Sequence, residues 1–380
     1  MRRQMILLAI AALVVTLMSC SNKPTDSVLS EGWQSETVDD KFNAGAYSSL
    51  AIDKNSIPHI AYYSGEALKY AFRNNARWSI QIIEAGIFAG QDPKIKLDSY
   101  GRPHISYFFY NREKNIRGLK YAHWTGSEWK IIFIDEKGAN GSIAIDSKNR
   151  PHIAYSAKFG NGLGYAYWDG EKWYKQFVNV LGDQSQYKEL TPKDKYFGRT
   201  DLSLVLDDDD KPHVAYFQRE SEDLRYICLL EDKWNIQVID NEGLVGLSPS
   251  IAVDRKGRVH ITYLHADDYD LKYAYWDGGK WNIQIIDEEK NIGCDSIVVL
   301  DKFEKPHVVY QRCADEELKY AFFDGTNWNV ATVEARKIGW NTAQSDTISM
   351  VLDAEGNPHI SCYDNHKKSL KYIVKYNKIH

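Results

Sequence analysis

The forty residues 248–287, "SPSIAVDRKGRVHITYLHADDYDLKYAYWDGGKWNIQIID", decide the fold. Four apolar or alternating runs can be read in them: "SIAV", "VHITY", "LKYAYW" and "WNIQIID". Each is short, rich in β-branched and aromatic residues, and bounded by turn residues, which is the pattern of strands. Asp254 with Gly257 three residues on fits a type I turn with Asp in first position. "WDGGKW" at 276–281 carries the Asp-Gly signal of a tight hairpin. One such segment is a four-stranded antiparallel unit.

The unit recurs along the chain. Its Asp stands at 53, 98, 146, 207, 254, 301 and 353, so the repeat length runs from 45 to 61 residues. Six residues after each Asp is a histidine: His59, His104, His152, His213, His260, His307 and His359. Pro precedes the His in every copy but one, where Val259 stands; Tyr follows three residues later in every copy but the last, which has Cys362. Next comes a Leu-Lys-Tyr-like triplet, varied to Leu-Gly-Tyr at 163–165 and Leu-Arg-Tyr at 224–226. Ten residues after the triplet Leu stands Trp78, Trp129, Trp173, Trp234, Trp281 or Trp328. Four-stranded units repeated at this period describe an all-β fold, a β-propeller.

The seventh unit has the triplet at 370–372 but no Trp and no fourth strand, because the sequence stops at His380. Trp33 lies 20 residues before Asp53, the spacing that Trp78, Trp234 and Trp281 keep to their next Asp. The segment from Trp33 is therefore expected to complete the last blade, closing a seven-bladed ring that has no long unpaired edge.

The first residues read differently. Arg2 and Arg3, an apolar run from Met5 to Met18 and the ending "LMSC" are read as a secretory signal, with a transmembrane helix as the weaker alternative. The ending resembles a bacterial lipobox, which implies cleavage after residue 19, a lipid on Cys20 and an envelope location, leaning to the outer membrane because Ser21 follows. Residues 20–32 are read as a flexible tether and 33–380 as the propeller. Removing Arg2 and Arg3 from 47 basic residues leaves 45 against 52 acidic ones, a net charge of −7. That balance argues against a nucleic-acid partner. The partner expected is a glycan or an envelope protein, with a monomeric chain touching the membrane only through its lipid.

Spacing separates the two faces of the ring. The Asp-to-His interval is 6 in every unit and the Leu-to-Trp interval 10 wherever both occur. Those intervals hold the turns of one face. All length variation, including the excursion 179–200, falls on the other, and function belongs on variable loops held by a rigid scaffold. The seven His recur with every blade on the invariant side, so they are assigned a structural role, bridging polar groups between sheets. The candidate ligand-binding residues are irregular ones on the variable side. Six positions before the turn Asp stand Tyr47, Asp92, Asn140, Asp201, Ser248, Asp295 and Thr347, a polar ring at the channel mouth suited to sugar hydroxyls or a cation. Loops add Tyr110, Arg112, Arg219, His265 and Arg312, and the last crossing adds Trp340. No paired Cys or His motif for a metal is present and no catalytic residue is assigned. A disulfide between Cys294 and Cys313 is left open.

The Asp, Pro-His-apolar-Ala-Tyr, Leu-Lys-Tyr-Ala and Trp-Asn-apolar-Gln pattern resembles bacterial propellers of the sialidase-like, BNR-repeat-like superfamily. The resemblance covers 33–380 and implies the architecture. The Asp-box and Arg-Ile-Pro motifs of sialidases are missing, and no motif places Arg112, Arg219 and Arg312 as their arginine triad. Three functions remain: a lipid-anchored binding module acting through its variable-loop face; a carbohydrate-active enzyme, hydrolase or lyase, with its site at the channel mouth; and an envelope-assembly scaffold.

Overall fold

In the computed structural model the chain folds into seven antiparallel sheets of four strands each, one of them with a short fifth strand. The structure describes residues 28–41, 43–86, 88–157, 162–178, 202–287, 295–312, 317–335 and 348–376. Lipidation at Cys20 and a Cys294–Cys313 bond therefore fall outside the described residues. Six sheets are sequential meanders, from Ser48–Ile52 at the inner edge of the first to Trp328–Ala335 at the outer edge of the sixth. In the seventh, Ile348–Leu352, Pro358–Asp364 and Ser369–Lys375 are completed by Trp33–Asp39, with Trp33 opposite Lys375 and Glu36 opposite Tyr372. The ring closes with the N-terminal strand in the last blade.

One boundary moves. Val28–Leu29 adds a fifth strand to the sixth blade, pairing with Ala335 and Glu334, and Ser30 N–H donates to Val333 O at 2.9 Å. Of the segment 20–32, expected to be a tether, Val28–Leu29 and Ser30 are docked on the sixth blade. Leu29 packs against the apolar cluster there, which supplies the reason.

The core is divided among the blade interfaces. Seven apolar clusters each join two neighbouring sheets; Ala51, Leu68 and Tyr70 of the first blade, for example, meet Ile95, Ile105 and Tyr107 of the second. This is why the second strands are buried on both sides, as in Pro58–Tyr63, whereas outer strands such as Trp281–Asp287 alternate with solvent.

Three polar or aromatic layers lock the blades. On the outside, every triplet Tyr meets the Trp of the next blade, from Tyr70–Trp129 at 5.3 Å to Tyr320–Trp33 and Tyr372–Trp78 at 5.5 Å. Trp129, Trp234, Trp281 and Trp328 also donate their indole N–H to a Gln of the preceding blade. In the middle, an acid six residues after the Trp accepts from the next blade. Asp39, Glu84, Asp240 and Asp287 each take a Tyr hydroxyl (Tyr62, Tyr107, Tyr263, Tyr310) and a Lys ammonium (Lys69, Lys120, Lys272, Lys319). The seventh blade has Cys362 in place of the Tyr, and there Lys371 takes both oxygens of Glu334 at 2.5 and 2.7 Å. The third blade has Gly164 in place of the Lys because the Tyr155 ring lies over it; a Cβ would come within 2.3 Å.

The innermost lock faces the axis. Ser49, Ser142, Ser203, Ser250 and Ser349, four residues before their turn Asp, each accept a backbone N–H from the inner strand of the next blade, at 3.0–3.3 Å. Lys94 and Ile297 occupy the same position in the second and sixth blades.

Candidate functional site at the channel mouth

The inner strands enclose a central channel of about 180 Å³. Its wall is the Ser layer with apolar residues between, so apart from Asp295 at the rim the other six blades offer it hydroxyls and apolar side chains. The second blade differs. Lys94 and Lys96, four and two residues before Asp98, both line the channel. Lys94 is paired with Asp92 at 2.8 Å. Lys96 is reached by water, yet enclosure by the surrounding sheets lowers the pKa of its ammonium. Among the described residues, no carboxylate lies within ion-pair distance of it. The sequence held the signal for these two lysines: the corresponding positions elsewhere are Ser or Ile, and Ala or Val.

The rim is built unevenly. In the second, third and fifth blades the inner strand continues past a β-bulge, where Asp92-Pro93, Asn140-Gly141 and Ser248-Pro249 oppose one residue each. Asp92, Asn140 and Ser248 all have φ near 48°, a left-handed conformation that re-aims the side chain. Ser248 and Asp295 line the channel with Ser48, and the Ser248 hydroxyl is buried without a hydrogen-bond partner among the described residues. Asp92 is buried and reaches the channel through Lys94. Tyr47 turns away, packing on Tyr63 at 6.2 Å. Asp201 and Thr347 lie outside the described residues. The expected polar ring is therefore present in part.

The loop candidates do not join it. Tyr110 packs against Phe88 at 6.0 Å, Arg112 is exposed, Arg219 is half-buried and Arg312 faces Glu317 at 3.8 Å. None of the three arginines lines the channel, and they sit on the second, fourth and sixth blades. His265 is buried at the end of Val259–His265 in the fifth blade. Trp340 is outside the described residues.

The seven histidines form a different constellation at the opposite end. Each donates or accepts at Nδ1 with the hydroxyl of its own blade's triplet Tyr, as in His104–Tyr121 and His260–Tyr273, both 2.5 Å. Nε2 faces the turn Asp, at 3.2 Å in His213–Asp207 and His359–Asp353. A carboxylate can only accept, so Nε2 carries the hydrogen and Nδ1 accepts from the Tyr. Burial pushes His104 and His260 down to about 4, so both rings are neutral at pH 7. Burial alone would raise the Asp98 carboxyl, but the Arg102 N–H and guanidinium outweigh it and hold the acid ionised. Every Nδ1 is engaged in this way, whereas Nε2 of His59 and of His260 is buried without a hydrogen-bond partner among the described residues.

Neither a family model nor a curated protein sequence matches the chain. Solved structures with the same fold do. A streptogramin B lyase covers 90% of this chain and 99% of its own length, at TM-score 0.59 and 10% identity. A polysaccharide lyase, an ulvan lyase bound to -[GlcA(1-4)Rha3S]-, covers 90% and 96%, at TM-score 0.58 and 13% identity. A protein of unknown function from Dyadobacter fermentans covers 92% and 100%, at TM-score 0.53 and 11% identity. The Aleuria aurantia lectin, in complex with α-methyl-L-fucoside, covers 80% and 100%, at TM-score 0.50 and 15% identity. At these identities the likeness is one of fold: the chain is an all-β propeller of seven four-stranded blades.

Proposed function

We propose that the protein is a glycan-binding propeller of the cell envelope, lipid-anchored through Cys20, that takes an acidic sugar into the central channel from its mouth. The observation that carries this reading is the pair of channel-lining lysines of the second blade: Lys94, paired with Asp92 toward the mouth, and Lys96, opposite His104 deeper in the channel and without a carboxylate partner among the described residues. Enclosure by the channel walls disfavours an unpaired ammonium even where water reaches it, and a uronate or sulfate on a sugar would supply the missing anion. Ser48, Ser248 and Asp295 then offer hydroxyl and carboxylate partners to the sugar ring. The rigid Ser layer between the mouth and Lys96 leaves the channel preorganised, which favours binding without rearrangement. Fold-mates include a lectin and a polysaccharide lyase, so both binding and lyase chemistry fit the scaffold.

The test is a glycan array with uronate-containing, sulfated and neutral sugars, run beside turnover assays on the same sugars. Preference for acidic glycans, lost at least tenfold in Lys96→Met with an unchanged melting temperature, is the expected result. Equal binding by Lys96→Met would refute the site. Turnover abolished by Asp295→Asn would replace the binding module with an enzyme.

A further inference from the structure

A second constellation lies on the variable-loop face of the fifth blade, away from the channel lining. Val259–His265 and Asp270–Trp276 are joined by the turn 266–269, with His265 directly opposite Asp270 and Tyr269 in the left-handed region at φ 58°. One ligand-type atom each from His265, Asp268 and Asp270 falls within 4.8 Å of the others. From this arrangement we infer a divalent transition-metal site, with imidazole Nδ1 and two carboxylates as protein ligands.

The tautomer of His265 carries the argument. Nε2 lies 3.0 Å from the carbonyl oxygen of Glu242. A carbonyl only accepts, so Nε2 bears a hydrogen, and Nδ1 is the nitrogen left to offer a lone pair to a metal. A backbone carbonyl on the distal nitrogen is the support that metal-bound histidines use. Nδ1 is buried with no hydrogen-bond partner, although Asp268 Oδ2 is only 3.0 Å away. The carboxylate is thus close to the nitrogen but off the line that a ring N–H would need. A lone pair and two carboxylates converging repel one another, and a cation between them removes that repulsion. His265 is only 8% exposed, so water cannot do the same from all sides.

The scaffold beneath is fixed. Asp267 accepts the Leu244 N–H at 2.9 Å, and Ala266 N–H donates to Leu244 O at 2.8 Å, docking the crossing from the fourth blade under the turn. Gly243 permits that approach, since a Cβ there would come within 2.5 Å of Asp267 and 3.1 Å of His265 Nε2. Asp268 is 67% exposed on its side chain, which leaves the remaining coordination positions to solvent or to an external ligand. One imidazole with two carboxylates suits a borderline ion such as Zn²⁺ over Ca²⁺, which takes oxygen ligands alone.

The experiment is calorimetric titration of the chelator-treated full chain with Zn²⁺ and, separately, Ca²⁺. One equivalent of Zn²⁺ bound, weakened at least tenfold by Asp268→Asn and abolished by His265→Gln, is expected. The exposed Asp268 serves as the variant that keeps its fold if His265→Gln does not. Absence of Zn²⁺ uptake, or uptake indifferent to Asp268→Asn, would overturn the site. Preference for Ca²⁺ would overturn it too, because the imidazole would then be idle. Glycan binding by the channel mouth is read separately, so either result stands without the other.

Discussion

At the scale of single residues, the repeated histidine is a hydrogen-bond relay between a turn and the next strand but one. Replacing His104 with Phe should leave the buried Tyr121 hydroxyl without its partner, at a cost of about 1–3 kcal/mol. Urea denaturation of the variant checks it, and Tyr121→Phe in the same background should recover part of the loss. The same burial makes stability pH-dependent. An unfolded His104 titrates near 6.5 but the folded one near 4, so between those values the unfolded chain binds a proton that the folded chain refuses. Stability must therefore fall as pH drops from 6.5 to 4, by up to about 1.4 kcal/mol per pH unit for each such ring. A melting temperature constant over that range would contradict the assignment. That the His recur once in every blade, beside the turn Asp, was legible from spacing alone. Their Tyr partners were not, because the separation is 11 residues in the first blade, 17 in the second and 13 in the others. The variable loop falls between the two and hides the spacing.

Between elements, the deciding contact is the acid that ends an outer strand and is clasped by the next blade. It sits six residues from the Trp in six of the seven blades, the third having Asn179 there, so the signal was in the sequence, but an Asp or Glu ending a strand also reads as an ordinary turn residue. The magnitudes separate the two roles. Glu334 is nearly inaccessible and holds Lys371, whose side chain is 10% exposed, so Glu334→Gln strands a buried ammonium and should cost about 3–5 kcal/mol. The Lys211–Asp209 pair, with side chains 48% and 74% exposed, should lose less than about 1 kcal/mol in Asp209→Asn. Comparable denaturation midpoints for the two variants would show that the inter-blade clasp contributes nothing special. The bulges of the second, third and fifth blades were illegible for a related reason. Strand pairing sets them, and the sequence alone shows only Pro or Gly next to a polar residue.

For the whole molecule, closure is the organising fact. The count of seven was legible because the missing Trp of the last unit and the extra Trp33 balance. The fifth strand on the sixth blade was not, since a two-residue pairing has no periodicity to detect. Trp33 belongs to the cluster between the sixth and seventh blades, and Val38 to the one between the seventh and first. Deleting residues 33–39 therefore strips a wall from two interfaces and frees the edge of Ser369–Lys375. Such a chain should melt well below the intact protein and bind a hydrophobic dye. An unchanged melting curve would mean that the seam carries no load.

The seam also sets an order of events. Trp33 and Lys375 are direct partners across the last pairing, so the strand synthesised among the first must wait, with its indole exposed, for one synthesised among the last. Joining those two residues by a short hairpin and cutting the chain between two blades, at the exposed turn Glu136-Lys137, would give a circular permutant whose blades all form from contiguous sequence, and that chain should refold faster than the natural one.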